Sequence, residues 1–274
     1  MTTPTTTSIQ LFTLRDQLDR SLDDTLAGVA GAGFTAVEPY DFVRRAAEFA
    51  AAFERHGLRA PTGHAFLASP SFIGPDGSPT DDATPTNDEV FEAATTLGMQ
   101  IVFDPYTDPE RWSTRADIEV TAERLNAAAA AAAAHGLRVG YHNHAHELDR
   151  EVAGADGRLG LEVLADALDP AVLLEVDLYW AARAGTDVPA LVHRLGDRVA
   201  AVHVKDGSLA PALTAEYPPA DQVPAGEGNV PLRAAIAAAT ALEYTVVEFD
   251  AYHGGDLYAA VAASRGFLDA RAAA

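Results

Sequence analysis

Residues 127–144 read A-A-A-A-A-A-A-A-H-G-L-R-V-G-Y-H-N-H: a helix-like stretch that reaches Gly136 and gives way to a short apolar run closed by two histidines. Glycine just past a helix end takes the left-handed conformation cheaply, so the passage reads as helix, stop, strand. The same join recurs at Gly33 before F-T-A-V-E, at Gly57 before L-R-A-P-T-G-H, at Gly98 before M-Q-I-V-F-D and at Gly196 before D-R-V-A-A-V-H. Short apolar runs bounded in this way fit strands covered on both faces, as in parallel sheets. Counted along the chain, strands are predicted at 8–12, 34–39, 59–64, 100–104, 137–143, 171–177, 199–205 and 244–249. Helices are predicted between them at 21–32, 41–56, 86–97, 115–135, 159–168, 187–195, 231–241 and 255–271. Ser21 with Asp24 resembles a capping box, and Pro231 suits a first helical turn. Eight alternating units predict an α/β protein, a single-domain (β/α)8 TIM barrel over residues 8–274 behind a disordered tail at 1–7.

An open dinucleotide-binding sheet would place a glycine-rich turn after an early strand. The turn after strand 1 is T-L-R-D-Q-L, without glycine, so no nicotinamide cofactor is expected. The 274 residues carry 19 Lys plus Arg against 40 Asp plus Glu, a formal charge of −21. Like charges repel, which argues against nucleic acid or an anionic membrane as partner and suits a protein that holds a cation and binds a neutral substrate. Cysteine is absent, which removes disulfides, thiolate zinc sites and cysteine nucleophiles together. No apolar run approaches a membrane span, and the opening M-T-T-P-T-T-T-S reads as a polar tail rather than a signal peptide, giving a cytoplasmic expectation. A homo-oligomer is expected, with a second kind of subunit as the alternative. Of the basic residues only Lys205 is a lysine.

The predicted αβ joins are short, whereas the βα connections 65–85, 145–158 and 206–230 are long, which marks the carboxyl-terminal face of the barrel as the working end. Loop 206–230 reads as a lid, rich in Pro and Ala, carrying Tyr217 and ending in G-E-G-N as a hinge-like turn. Strand ends on that face carry Glu38, His64, Asp104, His142 with His144, Glu175 with Asp177, His203 with Lys205, and Glu248 with Asp250. Buried charges must be paired or bind a metal, so this many polar strand ends predicts a site. Residues two apart share a face, and strands 5 to 8 are neighbours; one residue from each can converge. The set chosen is His142, Asp177, His203 and Glu248, with His144 as the strand-5 alternative. Two imidazoles and two carboxylates suit one divalent cation, Mn²⁺ first, with Co²⁺, Fe²⁺, Zn²⁺ or Mg²⁺ also admissible. Glu248, His144, Lys205 and Glu147 are the catalytic candidates. Glu38, His64, Asp104, Trp112 and Trp180 are the substrate-binding candidates, the indoles as flat faces for a sugar ring.

The strings I-Q-L-F-T-L-R-D, V-E-P-Y, V-G-Y-H-N-H, L-E-V-D-L-Y-W-A, V-H-V-K-D, G-E-G-N-V-P and V-V-E-F-D, in this order, resemble the xylose isomerase-like TIM-barrel superfamily. Within it they are similar to the sugar phosphate isomerase/epimerase group, which includes inosose dehydratases and keto-sugar epimerases, from about Ile9 to Asp256. The resemblance implies one divalent metal held by Glu, Asp, His and Glu from strands 5 to 8; Asp177, His203 and Glu248 match the last three. Strand 5 departs from the epimerase pattern: it offers Tyr141, His142, Asn143 and His144, with no Glu. Histidine-rich strand-5 ends are similar to those of inosose dehydratase-like members and of subunits that cleave 3-keto C-glycosides. The expected function is therefore a metal-dependent isomerase or epimerase acting on a sugar by proton abstraction next to a carbonyl. The alternatives are a lyase, either a dehydratase or a keto-glycoside-cleaving enzyme working with a second subunit, and a non-catalytic sugar-binding partner subunit.

Overall fold

A computed structural model describes residues 5–69, 84–148, 152–154, 156–210 and 218–272 of the chain. All five predicted joins have glycine at positive φ, and Gly57 and Gly136 close their helices in the left-handed conformation at φ 64° and 70°. Behind these stops run eight barrel strands: β1 Thr6–Gln10, β2 Val37–Glu38, β3 Thr62–His64, β4 Ile101–Asp104, β5 Arg138–His142, β6 Leu173–Asp177, β7 Val199–Val204 and β8 Tyr244–Val247. All pair in parallel, in the order β2-β1-β8-β7-β6-β5-β4-β3. The ring closes between β2 and β3 through the Ala36–Arg59 bridge and the His64 N–H donating to the Pro39 carbonyl at 2.9 Å. Pro39 and Pro61 stand at this seam without N–H donors, which explains why β2 and β3 are shorter than their predicted spans. At the amino end Thr6 and Thr7 are strand, not tail.

The eight predicted helices are present with small shifts: Leu22–Gly31, Ala46–His56, Asn87–Thr96, Arg115–Ala132, Gly160–Ala167, Val188–Leu195, Leu232–Ala238 and Leu257–Ala272. Ser21 Oγ accepts from the Asp24 N–H at 3.2 Å, and Pro231 sits at an N-cap, one position outside its helix. Two six-residue helices, Arg15–Arg20 and Leu178–Arg183, are additional to the predicted set. Each follows a strand without a glycine or proline boundary, so neither leaves a sequence signal. No helix among the described residues is long and apolar enough to cross a membrane.

Strand parity builds the barrel interior in tiers. Along β4, β5, β7 and β8 the lower inward positions are Ile101, Phe103, Gly140, Ala201, Tyr244 and Val246. Gly140 is required here, because a Cβ would run into the Phe103 ring. Two residues further along β5, β7 and β8 the same face turns polar, at His142, His203 and Glu248. An apolar floor therefore supports a buried polar layer at the carboxyl-terminal end.

Candidate metal centre and active site

In a parallel ladder, register partners point to the same side, and Cα pairing carries the inward phase from strand to strand. His142 pairs with Glu175, Asp177 with His203, and Gln10 with Glu38. These side chains, with His64, Lys205, Glu248 and Asp250, face one another in two tiers.

In the lower tier three imidazole nitrogens meet one oxygen. Glu175 Oε2 lies 2.6 Å from His64 Nε2, 3.1 Å from His203 Nε2 and 3.2 Å from His142 Nδ1. Glu38 Oε1 lies 2.9 Å from His203 Nε2 and 3.2 Å from His64 Nε2, and accepts from Gln10 Nε2 at 3.0 Å. In the upper tier the Lys205 ammonium is 2.8 Å from Glu248 Oε2, 2.9 Å from Asp250 Oδ1 and 3.0 Å from Asp177 Oδ2. His203 spans both tiers: its Nδ1 is 2.6 Å from Glu248 Oε2. Asp177 Oδ2 stands 3.9 Å from both His203 Nδ1 and His142 Nε2. Its other oxygen caps the helix Leu178–Arg183 by accepting from the Trp180 N–H at 2.9 Å.

Burial and charge decide the ionisation states. Burial pushes the Asp177 carboxyl up to about 6, against the opposing pull of Lys205 and His203. Glu248 is buried as well, but the Lys205 and His203 charges outweigh that burial and hold it below the carboxylate range. Burial, joined by neighbouring positive groups, holds His142 and His144 well below the usual histidine value, so both are neutral imidazoles. For His64 burial opposes the charge, yet Glu38 and Glu175 prevail and raise it to about 9.

Two donor groups have atoms within 4.8 Å of one another: Asp177, His203 and Glu248; and His64, His142, Glu175 and His203. Metal bonds of about 2.1 Å place neighbouring ligand atoms about 3–3.5 Å apart. Asp177 Oδ2 at 3.9 Å from both His142 Nε2 and His203 Nδ1, and His203 Nδ1 at 2.6 Å from Glu248 Oε2, bracket that spacing; Asp177, His203 and Glu248 form one compact donor group, and His142 adjoins it at Asp177. Neutral imidazole and ionised carboxylate are the required ligand forms. His142 is already neutral, whereas at His203 burial is outweighed by Glu175 and Glu248, which hold the imidazole well above the usual histidine value, so a bound cation would take the place of the His203 Nδ1 proton. The residues fit a divalent cation.

His144 lies beside this group, its ring centroid 5.1 Å from that of His142 and 5.5 Å from Trp180, and its buried Nδ1 has no hydrogen-bond partner. Trp180 also sits 5.8 Å from Lys205 Nζ. Three candidates fall elsewhere. Asp104 is one residue out of phase with the inward Phe103, and its carboxylate accepts from the Leu67, Ala68 and Tyr106 N–H groups at 2.9, 2.7 and 3.1 Å. Trp112 is buried against Tyr141 and donates to Thr107 Oγ1 at 2.8 Å. Glu147 spends its oxygens on the Tyr141 hydroxyl at 2.7 Å and the His144 N–H at 2.8 Å, so it shapes the strand-5 end instead of facing the mouth. Glu38 and His64, expected to bind substrate, are in the buried lower tier and bond to protein groups. Glu175 and Asp250 join the site although the sequence reading gives them no role in it; their two-residue spacing to Asp177 and Glu248 is the signal that finds them. Gln222 has no such signal: its amide donates to Asp250 Oδ2 at 2.7 Å from the loop before β8.

Of the predicted lid, residues 211–217, including Tyr217, lie outside the described residues. Its flanks are tied down. Asp206–Gly207 pairs antiparallel with Gln222–Val223, and the Tyr179 hydroxyl donates to Asp221 Oδ1 at 2.7 Å. Asp206 accepts from the Gly207, Gly226, Gly228 and Val230 N–H groups at 2.9–3.1 Å. The G-E-G-N turn is thus wrapped on a carboxylate instead of forming a free hinge. A Cβ at Gly228 would overlap Asp206 and the Gly207 backbone. Gly228→Ala is expected to cost about 1–3 kcal/mol by overpacking. It should lower the thermal midpoint and speed proteolysis of the loop, and an unchanged midpoint would contradict this packing.

The sequence model of the xylose isomerase-like TIM-barrel family matches residues 26–269. A search of curated proteins gives no match. Among solved structures the fold is similar to a sugar phosphate isomerase/epimerase from Parabacteroides distasonis, at 22% identity and TM-score 0.74, over 98% of this chain and 95% of that one. It is similar to the IolI protein with a bound zinc atom, at 15% identity and TM-score 0.69, over 97% of each chain. It is also similar to a 3-keto-D-glucoside 4-epimerase from E. coli, at 16% identity and TM-score 0.65, over 97% of this chain and all of the other.

Proposed function

The chain belongs to the xylose isomerase-like TIM-barrel family, and from that premise we propose that it is a divalent-metal-dependent isomerase or epimerase of a sugar or keto-sugar, acting by proton abstraction next to a carbonyl. The observation that carries this reading is the convergence of His142, Asp177, His203 and Glu248 from four neighbouring strands, beside a buried ammonium. Bound there, a divalent cation would act as a Lewis acid on the carbonyl and acidify the adjacent C–H; Mn²⁺ is the first choice, and the zinc of IolI makes Zn²⁺ the next.

The chain's own groups supply the rest. Lys205 Nζ, held by three carboxylates, donates to the oxygen on which charge develops. His144, neutral and with Nδ1 unpartnered, is placed to take the carbon-bound proton, and Trp180 offers a flat wall next to it. Because the His144 value is depressed, its titration should leave kcat/KM level as the pH falls towards 6.5, with the acid limb lying lower. A limb centred above that value in the metal-saturated enzyme would remove His144 as the base.

One observation favours a lyase as the second reading. Strand 5 ends in histidines where a two-carboxylate epimerase would present Glu. A neutral base facing an ammonium suits abstraction at one carbon and protonation of a departing oxygen at the next. Turnover of keto-sugars in D₂O separates the two. Deuterium beside the carbonyl with no fragment released means isomerase or epimerase; release of water or an aglycone means lyase. Absence of both across a sugar panel would overturn the enzymatic proposal in favour of a sugar-binding subunit.

The lower tier gives a further expectation. Glu175 and Glu38 accept from the far nitrogens of both imidazoles and so fix their tautomers, leaving His142 Nε2 and His203 Nδ1 as the ligand atoms. Glu175→Gln should weaken metal affinity about 10–100-fold, measured by titration calorimetry. Unchanged affinity would mean the tier is scaffolding only.

A further inference from the structure

Two positive charges claim the same oxygen atoms in the upper tier. Asp177 Oδ2, 3.9 Å from His142 Nε2 and from His203 Nδ1, and Glu248 Oε2, 2.6 Å from His203 Nδ1, are the carboxylate corners of the candidate ligand set. The same two atoms lie 3.0 and 2.8 Å from Lys205 Nζ. Asp177 cannot serve both by turning, because its other oxygen is held by the Trp180 N–H. The ammonium cannot withdraw into water either: Lys205 is 2% exposed, and a buried charge needs a partner.

Asp250 is that partner. It belongs to neither donor group, and both of its oxygens face Lys205 Nζ, at 2.9 and 3.0 Å. Gln222 fixes its orientation: the amide nitrogen donates to Asp250 Oδ2 at 2.7 Å, and the amide oxygen accepts from the Asp250 and Ala251 N–H groups at 2.8 and 3.3 Å. Lys205 adjoins, and Gln222 belongs to, one short hairpin, in which Asp206–Gly207 pairs with Gln222–Val223. The charges count the same way. With neutral imidazoles as ligands, the carboxylates of Asp177, Glu248 and Asp250 balance one ammonium plus one divalent cation. Without Asp250, positive charge would exceed negative in a buried tier.

We infer that Lys205 competes with the cation for Asp177 and Glu248, and that Asp250, aimed by Gln222, sets metal affinity by holding the ammonium aside. The inference rests on the proposed metal centre and is independent of the reaction carried out there. It gives two residues outside the ligand set, and the hairpin that seats one of them, control over metal retention. Linkage is reciprocal, so a bound cation in turn presses the ammonium onto Asp250 and tightens the hairpin.

Calorimetric titration of the full chain with Zn²⁺, and separately with Mn²⁺, tests this without any substrate. Lys205→Met should bind each cation about tenfold more tightly than the wild type, within the usual span of coupling between two sites. Asp250→Asn should bind about 10–100-fold more weakly, the effect typical of groups behind the metal ligands. In the Lys205→Met background the same substitution should cost at least about tenfold less, because no ammonium is left to release onto the ligands. Gln222→Leu leaves the Asp250 charge in place and should weaken binding about 2–10-fold, with the same dependence on background; it decides the question if Asp250→Asn does not fold. Lys205 is the only lysine, so ¹⁵N-lysine labelling gives a single Nζ resonance, which should shift on saturation with Zn²⁺. Equal losses in the two backgrounds, a Lys205→Met protein that binds no more tightly than the wild type, or a resonance unmoved by saturating Zn²⁺ would each overturn the inference and leave the metal centre standing. A wild type that binds neither cation overturns both.

Discussion

Asp177→Ala is expected to leave a folded barrel that no longer retains a divalent cation, its content falling from one per chain to near zero after dialysis against metal-free buffer. The side chain does two jobs that the variant removes together. One oxygen caps the helix Leu178–Arg183 through the Trp180 N–H, and losing such a cap costs about 1 kcal/mol, too little to unfold a domain of this size. The other stands 3.9 Å from each of two imidazole nitrogens and 3.0 Å from Lys205, and it is the anionic corner of the candidate ligand set. Removing it leaves the ammonium paired with Glu248 and Asp250, so the buried charge stays compensated. Asp177→Asn separates the jobs, because an amide oxygen can still accept from Trp180 while the negative charge is gone. It should lose metal like the Ala variant but keep the wild-type thermal midpoint of the apoprotein. Full occupancy in Asp177→Ala, measured by elemental analysis, would overturn the ligand assignment.

Lys205→Met carries the second large effect: a fall in kcat on the order of 10²–10³, the usual consequence of losing one oxyanion donor, with metal content and KM close to the wild type. Methionine keeps the buried stem's length and removes only the charge. Without metal, the variant would hold Asp177, Glu248 and Asp250 in a dry site with no ammonium between them, and breaking a buried pair in this way costs about 3–5 kcal/mol. The variant should therefore show a larger gain in thermal stability on adding Mn²⁺ than the wild type does. Turnover within tenfold of the wild type, in a variant shown to be metal-loaded, would remove Lys205 from the reaction.

Much of this is legible in the order of residues because the underlying rules are local. A glycine just past a helical stretch marks its end through positive φ, and the five joins read in this way, at Gly33, Gly57, Gly98, Gly136 and Gly196, all carry glycine at positive φ. The two-residue period of a strand assigns faces, so it alone pairs His142 with His144, Glu175 with Asp177, His203 with Lys205, and Glu248 with Asp250. Eight alternating units with long loops on one face are enough to place the working end.

The period does not say how deep each member of a pair sits, or how one strand is phased against the next. Asp104 reads as another strand-end carboxylate, yet register sets it opposite Tyr141 and turns it out of the barrel, where it caps the backbone at Leu67 and Ala68. Glu38 and His64 read as groups at the mouth, yet the barrel's stagger buries them beneath His203. Gln222 is decided by a contact with Asp250 from a segment that no local pattern connects to the site. Local backbone preference and strand periodicity belong to neighbouring residues and can be read one stretch at a time. Tier and partner depend on the stagger between strands and on the course of loops, and those are properties of the closed barrel as a whole.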